Sequence, residues 1–208
     1  MSQSLKKKIR FIILGFFVLM IPIGYFVKNS IAIDMNNSAI QKVALSSWED
    51  TNIIKESIKE IDKSIWLYRR NYISYANKAE LLCCLKKYNE AIITMKQIFD
   101  FKSDYPEGLI YIGFIYDKLN LPDSANIYYT KALVIHEKRI SDGNSDKILL
   151  KSSKVDKAFD VFLLDGKSAL EKELKILHRE YSNDPVVANL DSIVKNFNRM
   201  SYVNNVIK

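Results

Sequence analysis

The 208-residue sequence has few of the residue types from which disulfide, metal and catalytic sites are built. Its two cysteines, Cys83 and Cys84, are adjacent in a predicted helix, where neighbouring side chains diverge and cannot easily form a disulfide. Its two histidines, His136 and His178, lie near the ends of predicted helices, where they would cap or be solvated. Neither lies at a spacing that would build a nucleophile and its base. We therefore expect no enzyme, no cofactor, no metal site and no disulfide framework.

Two short polar patterns resemble ligand loops but lack essential positions. Residues 166–168, Gly-Lys-Ser, resemble the end of a phosphate-binding loop, yet Val161 occupies the position of the earlier glycine. The polar alternation of residues 142–146 lacks the central glycine and the terminal glutamate of a calcium loop. We expect no nucleotide at the first pattern, which begins at the turn between two predicted helices, and a surface turn at the second.

A basic surface for nucleic acid is also missing, although the net charge is +7. Five of the 31 basic residues and none of the 24 acidic residues lie in residues 1–28, so the rest of the chain has 26 basic residues against 24 acidic ones. A nucleic-acid surface needs clustered Lys and Arg on the folded part. We expect neither a nucleic-acid partner nor a small-molecule substrate.

The N-terminus contains a long apolar run. Residues 11–27 carry no charge, and four basic residues precede them at positions 6, 7, 8 and 10. Since Lys and Arg are retained on the cytoplasmic side, we interpret residues 1–8 as a cytoplasmic basic tail and residues 9–28 as a transmembrane anchor. The protein would then be a single-pass membrane protein with a periplasmic or extracellular C-terminal domain. The run is short for a membrane span, so a signal peptide cleaved after Ala32 stays open.

Apolar and small residues recur with a period of 34 residues in the middle of the chain. This is the length of a helix-turn-helix repeat. Within the second unit, apolar residues at helical spacing predict a first helix near Leu109, and Pro122 separates it from a second helix. The matched pairs are Tyr75 and Leu109, Ala79 and Gly113, Leu82 and Tyr116, Tyr88 and Pro122, Ala91 and Ala125, Met95 and Tyr129, and Ile98 and Ala132.

These residues resemble the tetratricopeptide repeat (TPR) family, well over residues 72–139 and loosely over residues 50–185. The resemblance implies an all-α fold, a TPR-like solenoid of helical hairpins, here preceded by the single N-terminal transmembrane helix. We expect a linker and first helix at 29–50, TPR-like repeats at 51–139, an insertion loop at 140–153, and a degenerate hairpin with a C-terminal capping helix at 154–208. The implied repeat-packing residues are Ala79, Leu82, Ala91, Gly113, Tyr116, Ala125, Tyr129 and Ala132.

The resemblance also implies protein binding, because in this family the first helix of each repeat lines a concave groove. The corresponding positions are Ile73, Ala76, Glu80, Cys83, Ile110, Phe114 and Asp117. Such an apolar and acidic groove suits an amphipathic helix or an extended apolar peptide, with Phe114 as the anchor. Alternatively, the C-terminal helix of the chain itself covers Ile110 and Phe114.

The leading hypothesis is a membrane-anchored adaptor or scaffold that binds a protein or peptide in a bacterial cell-envelope complex. Two alternatives stay open: a self-associating structural component of an envelope assembly, and a secreted soluble binding protein released by signal cleavage.

Overall fold

The structure is a computed structural model. It describes the backbone of residues 3–143, 146–195 and 198–207, and the side chains of residues 22–143, 146–190 and 198–207. These ranges are all-helical and contain no strand. The helices are α1 Gln3–Leu45, α2 Thr51–Leu67, α3 Tyr72–Cys84, α4 Tyr88–Lys96 followed by a 3-10 turn Gln97–Asp100, α5 Pro106–Lys118, α6 Pro122–Ser141, α7 Lys147–Asp165, α8 Lys167–Glu180, α9 Pro185–Lys195 and α10 Arg199–Val206.

The chain divides into two compact units, unit 1 (Met1–Leu81) and unit 2 (Leu82–Lys208). In unit 1, α1 packs against α2 along one apolar stripe on each helix. The side chains of this stripe have no exposed surface; they are Ala32, Ala39 and Val43 of α1, and Ile54 and Ile61 of α2. Asp50 fixes the start of α2 because its carboxylate accepts the backbone N–H groups of Asn52 and Ile53 at 3.0 and 3.1 Å.

A buried serine satisfies its hydroxyl within the same unit. Ser64 of α2 donates to the carbonyl oxygen of Ala32 at 2.6 Å, and its oxygen lies 3.0 Å from that of Ser74 in α3. Asn71 then donates to Ser74 at 2.8 Å. This chain of hydrogen bonds removes the penalty of burying the hydroxyls and links the three helices of unit 1.

In unit 2, the same turn recurs after 34 residues and begins the second helix of each hairpin. Lys86 and Asn120 both adopt a φ of 58°, in the left-handed region. In both turns, the backbone N–H of the next residue donates at 2.9 Å to a carbonyl oxygen five residues earlier, from Lys87 to Leu82 and from Leu121 to Tyr116. These bonds cap the ends of α3 and α5. The period seen in the sequence is therefore also a period of backbone conformation.

A further hairpin of unit 2 consists of α7 and α8, joined at Gly166 with a φ of 79°. The helix α7 begins at Lys147, earlier than the predicted start at Lys154, because Asp146 caps it by accepting from the N–H groups of Ile148 and Leu149. A buried cluster holds this hairpin to α9; it consists of Ala158, Phe162, Leu170, Leu174, Leu177, Val187 and Leu190.

The membrane prediction is corrected by the structure. Among the helices in its described part, none is long and apolar enough to cross a bilayer. The predicted anchor at residues 9–28 lies largely outside the described side chains, which begin at residue 22. Beyond it, α1 is amphipathic and buries its apolar stripe against α2. The predicted single-pass localisation, with a cytoplasmic N-terminus and a periplasmic or extracellular domain, is wrong on this finding.

The described residues after α8 also differ from the sequence expectation of a single C-terminal capping helix. They contain two helices, α9 and α10. Asn198 lies in an extended conformation, with φ −118° and ψ 118°, and its side chain accepts from the N–H of Ser201 at 2.9 Å. An asparagine in this conformation is a helix N-cap, so α10 starts anew at Arg199.

Candidate protein-binding site

The structure places the predicted groove residues at very different depths. In unit 1, Ile73 is exposed over 47% of its surface, whereas Ala76 and Glu80 are half-buried. In unit 2, Cys83 is buried and Ile110 is half-buried. The last two, Phe114 and Asp117, are only 5% and 4% exposed. The assignment of these seven residues to a partner groove stays a prediction.

The residues predicted to pack repeats lie mostly in the interior. Seven of the eight are buried, namely Ala79, Leu82, Ala91, Gly113, Ala125, Tyr129 and Ala132. Tyr116 is half-buried and stacks on Tyr128 of α6, with ring centroids 5.4 Å apart. At Gly113 the approach is closest, since a Cβ there would lie 2.3 Å from Cε1 of Tyr129.

Tyr129 carries a polar group into the middle of unit 2. Its hydroxyl donates to Oδ2 of Asp117 at 2.6 Å, which links α6 to α5. Burial, followed by this hydrogen bond, raises the pKa of the Tyr129 phenol, so the phenol remains a proton donor. The Asp117 carboxylate is thereby fixed in position inside the hairpin.

The same carboxylate binds an arginine from the far end of the chain. Arg199 of α10 donates from Nε to Oδ2 and from Nη2 to Oδ1 of Asp117, both at 2.7 Å. Its Nη1 donates to the carbonyl oxygen of Leu163 in α7 at 2.9 Å, and its guanidinium lies 5.1 Å from the ring centroid of Tyr129. Burial alone would lower the pKa of Arg199, but hydrogen bonding and the charge of Asp117 outweigh it and raise that pKa. The pair is therefore ionic and two-pronged.

An aromatic cluster surrounds this ion pair. Tyr202 of α10 meets Phe114 of α5 edge to face at 5.6 Å and Phe159 of α7 at 5.9 Å. Phe114 in turn meets Tyr129 at 5.9 Å. The helix α10 therefore covers two buried residues of the predicted groove, Phe114 and Asp117.

Sequence reasoning missed the three residues that complete this site, Phe159, Arg199 and Tyr202. An available signal was the spacing of Arg199, Tyr202 and Val203 on one face of a short helix behind an asparagine cap. That signal identifies the helix but not the surface that receives it.

The histidine expectation holds for one residue and fails for the other. His178 is exposed in the last turn of α8. His136 has no exposed surface, and its Nδ1 lies 2.7 Å from Oδ2 of Asp160 in α7. The difference arises because α6 continues to Ser141, which places His136 inside the interface of α6 with α7. Burial raises the pKa of Asp160, and the hydrogen bond and charge of His136 oppose that shift.

The described residues contain no group of three or more potential ligands placed to hold a metal ion. Cys83 is buried as a small apolar side chain and Cys84 is partly buried. Of the loop expected to be a surface turn, Asp142 ends α6 and Asp146 caps α7, while residues 144 and 145 lie outside the described residues.

Comparison with known proteins places the fold. No protein-family model and no curated protein matches the sequence. Among solved structures, the chain is similar to a Podosopora anserina kinesin light chain protein with nearly identical TPR-like repeats, at a TM-score of 0.51 and 8% identity over 86% of this chain and 87% of that one. It also matches a double mutant of MamA from RS-1, at a TM-score of 0.41 and 12% identity over 74% of this chain and 97% of that one. The fold is thus a TPR-like helical solenoid, an assignment that rests on the first likeness.

Proposed function

We propose that the chain is a non-enzymatic, protein-binding scaffold of the TPR-like type. One observation carries the proposal: the helices α5, α6 and α7 of unit 2 already hold a separate short helix, α10, through side-chain contacts. Holding a helical segment in this way is the physical operation that a scaffold performs on a partner. Membrane attachment is not part of the proposal.

The described polar clusters support binding over catalysis. His136 and Asp160 form the pair that most resembles an acid-base couple, but neither has any exposed surface. A general base must lie within hydrogen-bond reach of a substrate. A pair enclosed between α6 and α7 has no such access, so it stabilises the hairpin interface.

The proposed partner-contacting residues are those of the first helices. They comprise Ile73, Ala76 and Glu80 in unit 1, and Cys83, Ile110, Phe114 and Asp117 in unit 2. Ile73 is the best position for a test, because 47% of its surface is exposed and a charge there leaves the core intact. Its matched control is Ile127, which is 55% exposed on α6, the second helix of its hairpin.

The experiment is cross-linking and affinity capture with the full chain, comparing the wild type with Ile73→Glu and Ile127→Glu. We expect Ile73→Glu to lose the captured protein and Ile127→Glu to retain it. Capture that survives Ile73→Glu would show that the first-helix face is not the binding face. If the chain forms a concentration-dependent oligomer in sedimentation and captures only further copies of itself, the scaffold proposal would give way to a self-associating structural component.

A further inference from the structure

The helix α10 is not placed as the next layer of the helical stack. A terminal capping helix would pack on the last hairpin alone, whereas α10 contacts α7 of that hairpin and also packs against α5, more than 80 residues earlier in the chain. Lys118 at the end of α5 donates to the side chain of Asn204 and to the carbonyl oxygen of Ile207, each at 2.9 Å. The Lys118 ammonium thereby gives a hydrogen-bond donor to a carbonyl oxygen at the C-terminal end of α10, which has no partner within the helix. The segment therefore lies on α5 as a bound peptide would.

The contacts of α10 lie on one helical face. Arg199, Tyr202 and Val203, together with Ile207 directly after the helix, face the rest of unit 2, and Val203 and Ile207 have no exposed surface. The opposite face is solvated and carries Met200, Ser201 and Asn205, while Asn204 lies at the edge of the contact, where Lys118 reaches it. A spacing of three, four and eight residues is the pattern of an amphipathic helix seated in a groove.

The receiving surface is more than an apolar patch. Asp117 is buried, its carboxylate is oriented by Tyr129, and it takes the arginine in a two-pronged geometry. Phe114 and Phe159 flank the tyrosine that follows one helical turn later. The surface therefore binds a positive charge and an aromatic ring at a fixed separation. Many apolar helices do not carry this pair of side chains.

The helix α10 is also short enough to depend on this surface. It has eight residues, and isolated helices below about 12 residues are marginal in water. Its helical form is thus maintained by docking, and release would let the segment unfold. A tethered segment of this kind competes at an effective concentration on the order of millimolar, which a partner with more contacts can overcome.

We propose that Phe114, Asp117 and Phe159 form a recognition site for an amphipathic helix of a partner protein that carries an arginine and, three residues later, an aromatic residue; α10 is the resident competitor for this site. The proposal rests on the proposed function, because it specifies the chemistry of the partner that the scaffold binds.

The test uses a fluorescent peptide with the sequence of residues 198–208 and the full chain. In the opened variant, Arg199→Ala with Tyr202→Ala, α10 loses both anchors and the site becomes available. We expect the peptide to bind this variant about 10-fold more tightly than the wild type, since the tethered copy no longer competes. The matched control carries Met200→Ala with Asn205→Ala on the solvated face, and it should bind like the wild type.

Two further comparisons keep the proposal open to refutation. Asp117→Asn in the opened variant, or removal of the arginine from the peptide, should each weaken binding about 10-fold, the scale of a charge-assisted hydrogen bond. In the unmutated chain, excess peptide should accelerate hydrogen exchange of the α10 amides. Equal peptide affinity for the opened variant and the wild type, with unchanged far-UV circular dichroism, would overturn the proposal. So would a wild-type dimer that the peptide dissociates, because α10 would then belong to a second copy.

The two proposals fail separately. If the peptide responds as expected to the opened variant and to Asp117→Asn, but Ile73→Glu does not change partner capture, the recognition site is retained and the proposed binding surface of unit 1 is rejected. Capture of a partner whose binding ignores Asp117 and Arg199 would retain the scaffold and reject the recognition site.

Discussion

The close approach of α5 and α6 at Gly113 yields the sharpest stability prediction. In most helices Gly→Ala is stabilising by about 1 kcal/mol, because alanine has the better helix propensity. At Gly113, the added Cβ would lie at 2.3, 2.8 and 2.8 Å from three ring atoms of Tyr129. Real contacts of a Cβ are longer than 3.0 Å, so either the ring or the helix must move.

Moving the ring of Tyr129 would cost considerable free energy. It has no exposed surface, and its hydroxyl is bonded to Asp117 at 2.6 Å. Overpacking a well-packed core typically costs about 1–3 kcal/mol, and a rigid ring contacted at three atoms belongs at the upper end. After subtracting the gain in propensity of about 1 kcal/mol, Gly113→Ala should lower the free energy of unfolding by about 2 kcal/mol.

The assay must report on unit 2. Both tryptophans, Trp48 and Trp66, lie in unit 1, so tryptophan fluorescence is the wrong probe. Hydrogen exchange of the α5 and α6 amides measures the opening free energy of the affected hairpin. Gly24→Ala is the control for propensity, because Gly24 lies in α1 with nothing within 4 Å of its added Cβ.

A double mutant completes the test. Tyr129→Leu replaces the flat ring, so Gly113→Ala combined with it should cost less than the sum of the single substitutions. Should Gly113→Ala stabilise the α5 and α6 amides as Gly24→Ala stabilises those of α1, the steric account of the hairpin would be refuted. Strict additivity in the double mutant would refute it as well.

Three further outcomes follow from features of both units. Lys86→Gly should raise the free energy of unfolding by about 0.5–1 kcal/mol in urea denaturation, because glycine tolerates the φ of 58°; Lys87→Gly, at a φ of −88°, should give no gain. Because burial raises the pKa of Asp160 in the folded state, its contribution to stability is present below the ordinary value of 3.8 and is lost as pH rises through the folded-state pKa. Asp160→Asn should remove that loss, because asparagine does not ionise. The melting temperatures of the variant and the wild type should therefore diverge as the pH rises, and a constant difference would contradict the assignment. Asp50→Ala removes the cap of α2 and should cost about 1 kcal/mol by tryptophan fluorescence, whereas an unchanged midpoint would show that the cap contributes nothing.

The hairpins of unit 2 could be predicted because their determinants are local. The small residues Gly113 and Ala125 and the breaker Pro122 act within one repeat, and each leaves a mark in the sequence at helical spacing. The structure adds that residues 86 and 120 repeat the same left-handed turn. Asn120 is a residue type that tolerates this conformation and marks its turn, whereas Lys86 is not, so the first of the two turns had no obvious signal.

The site itself depends on contacts that no local pattern encodes. Arg199 and Asp117 are 82 residues apart in the chain, and their pairing follows from where α10 docks rather than from any period. Likewise, His136 lay near an apparent helix end, but the continuation of α6 to Ser141 made it an interior residue. Long-range packing decided both cases, whereas the membrane assignment at the N-terminus rested on a local pattern, an uncharged run behind basic residues.

The buried carboxylate of Asp117 has a consequence for discrimination among binding sequences. A helix that displaces α10 also removes the Arg199 guanidinium, which neutralises the Asp117 carboxylate. A displacing helix without a cationic residue would therefore bury this carboxylate without a counter-charge. Apolar helices are therefore selected against by the free-energy cost of the buried, unpaired carboxylate, even where their shape fits the surface well.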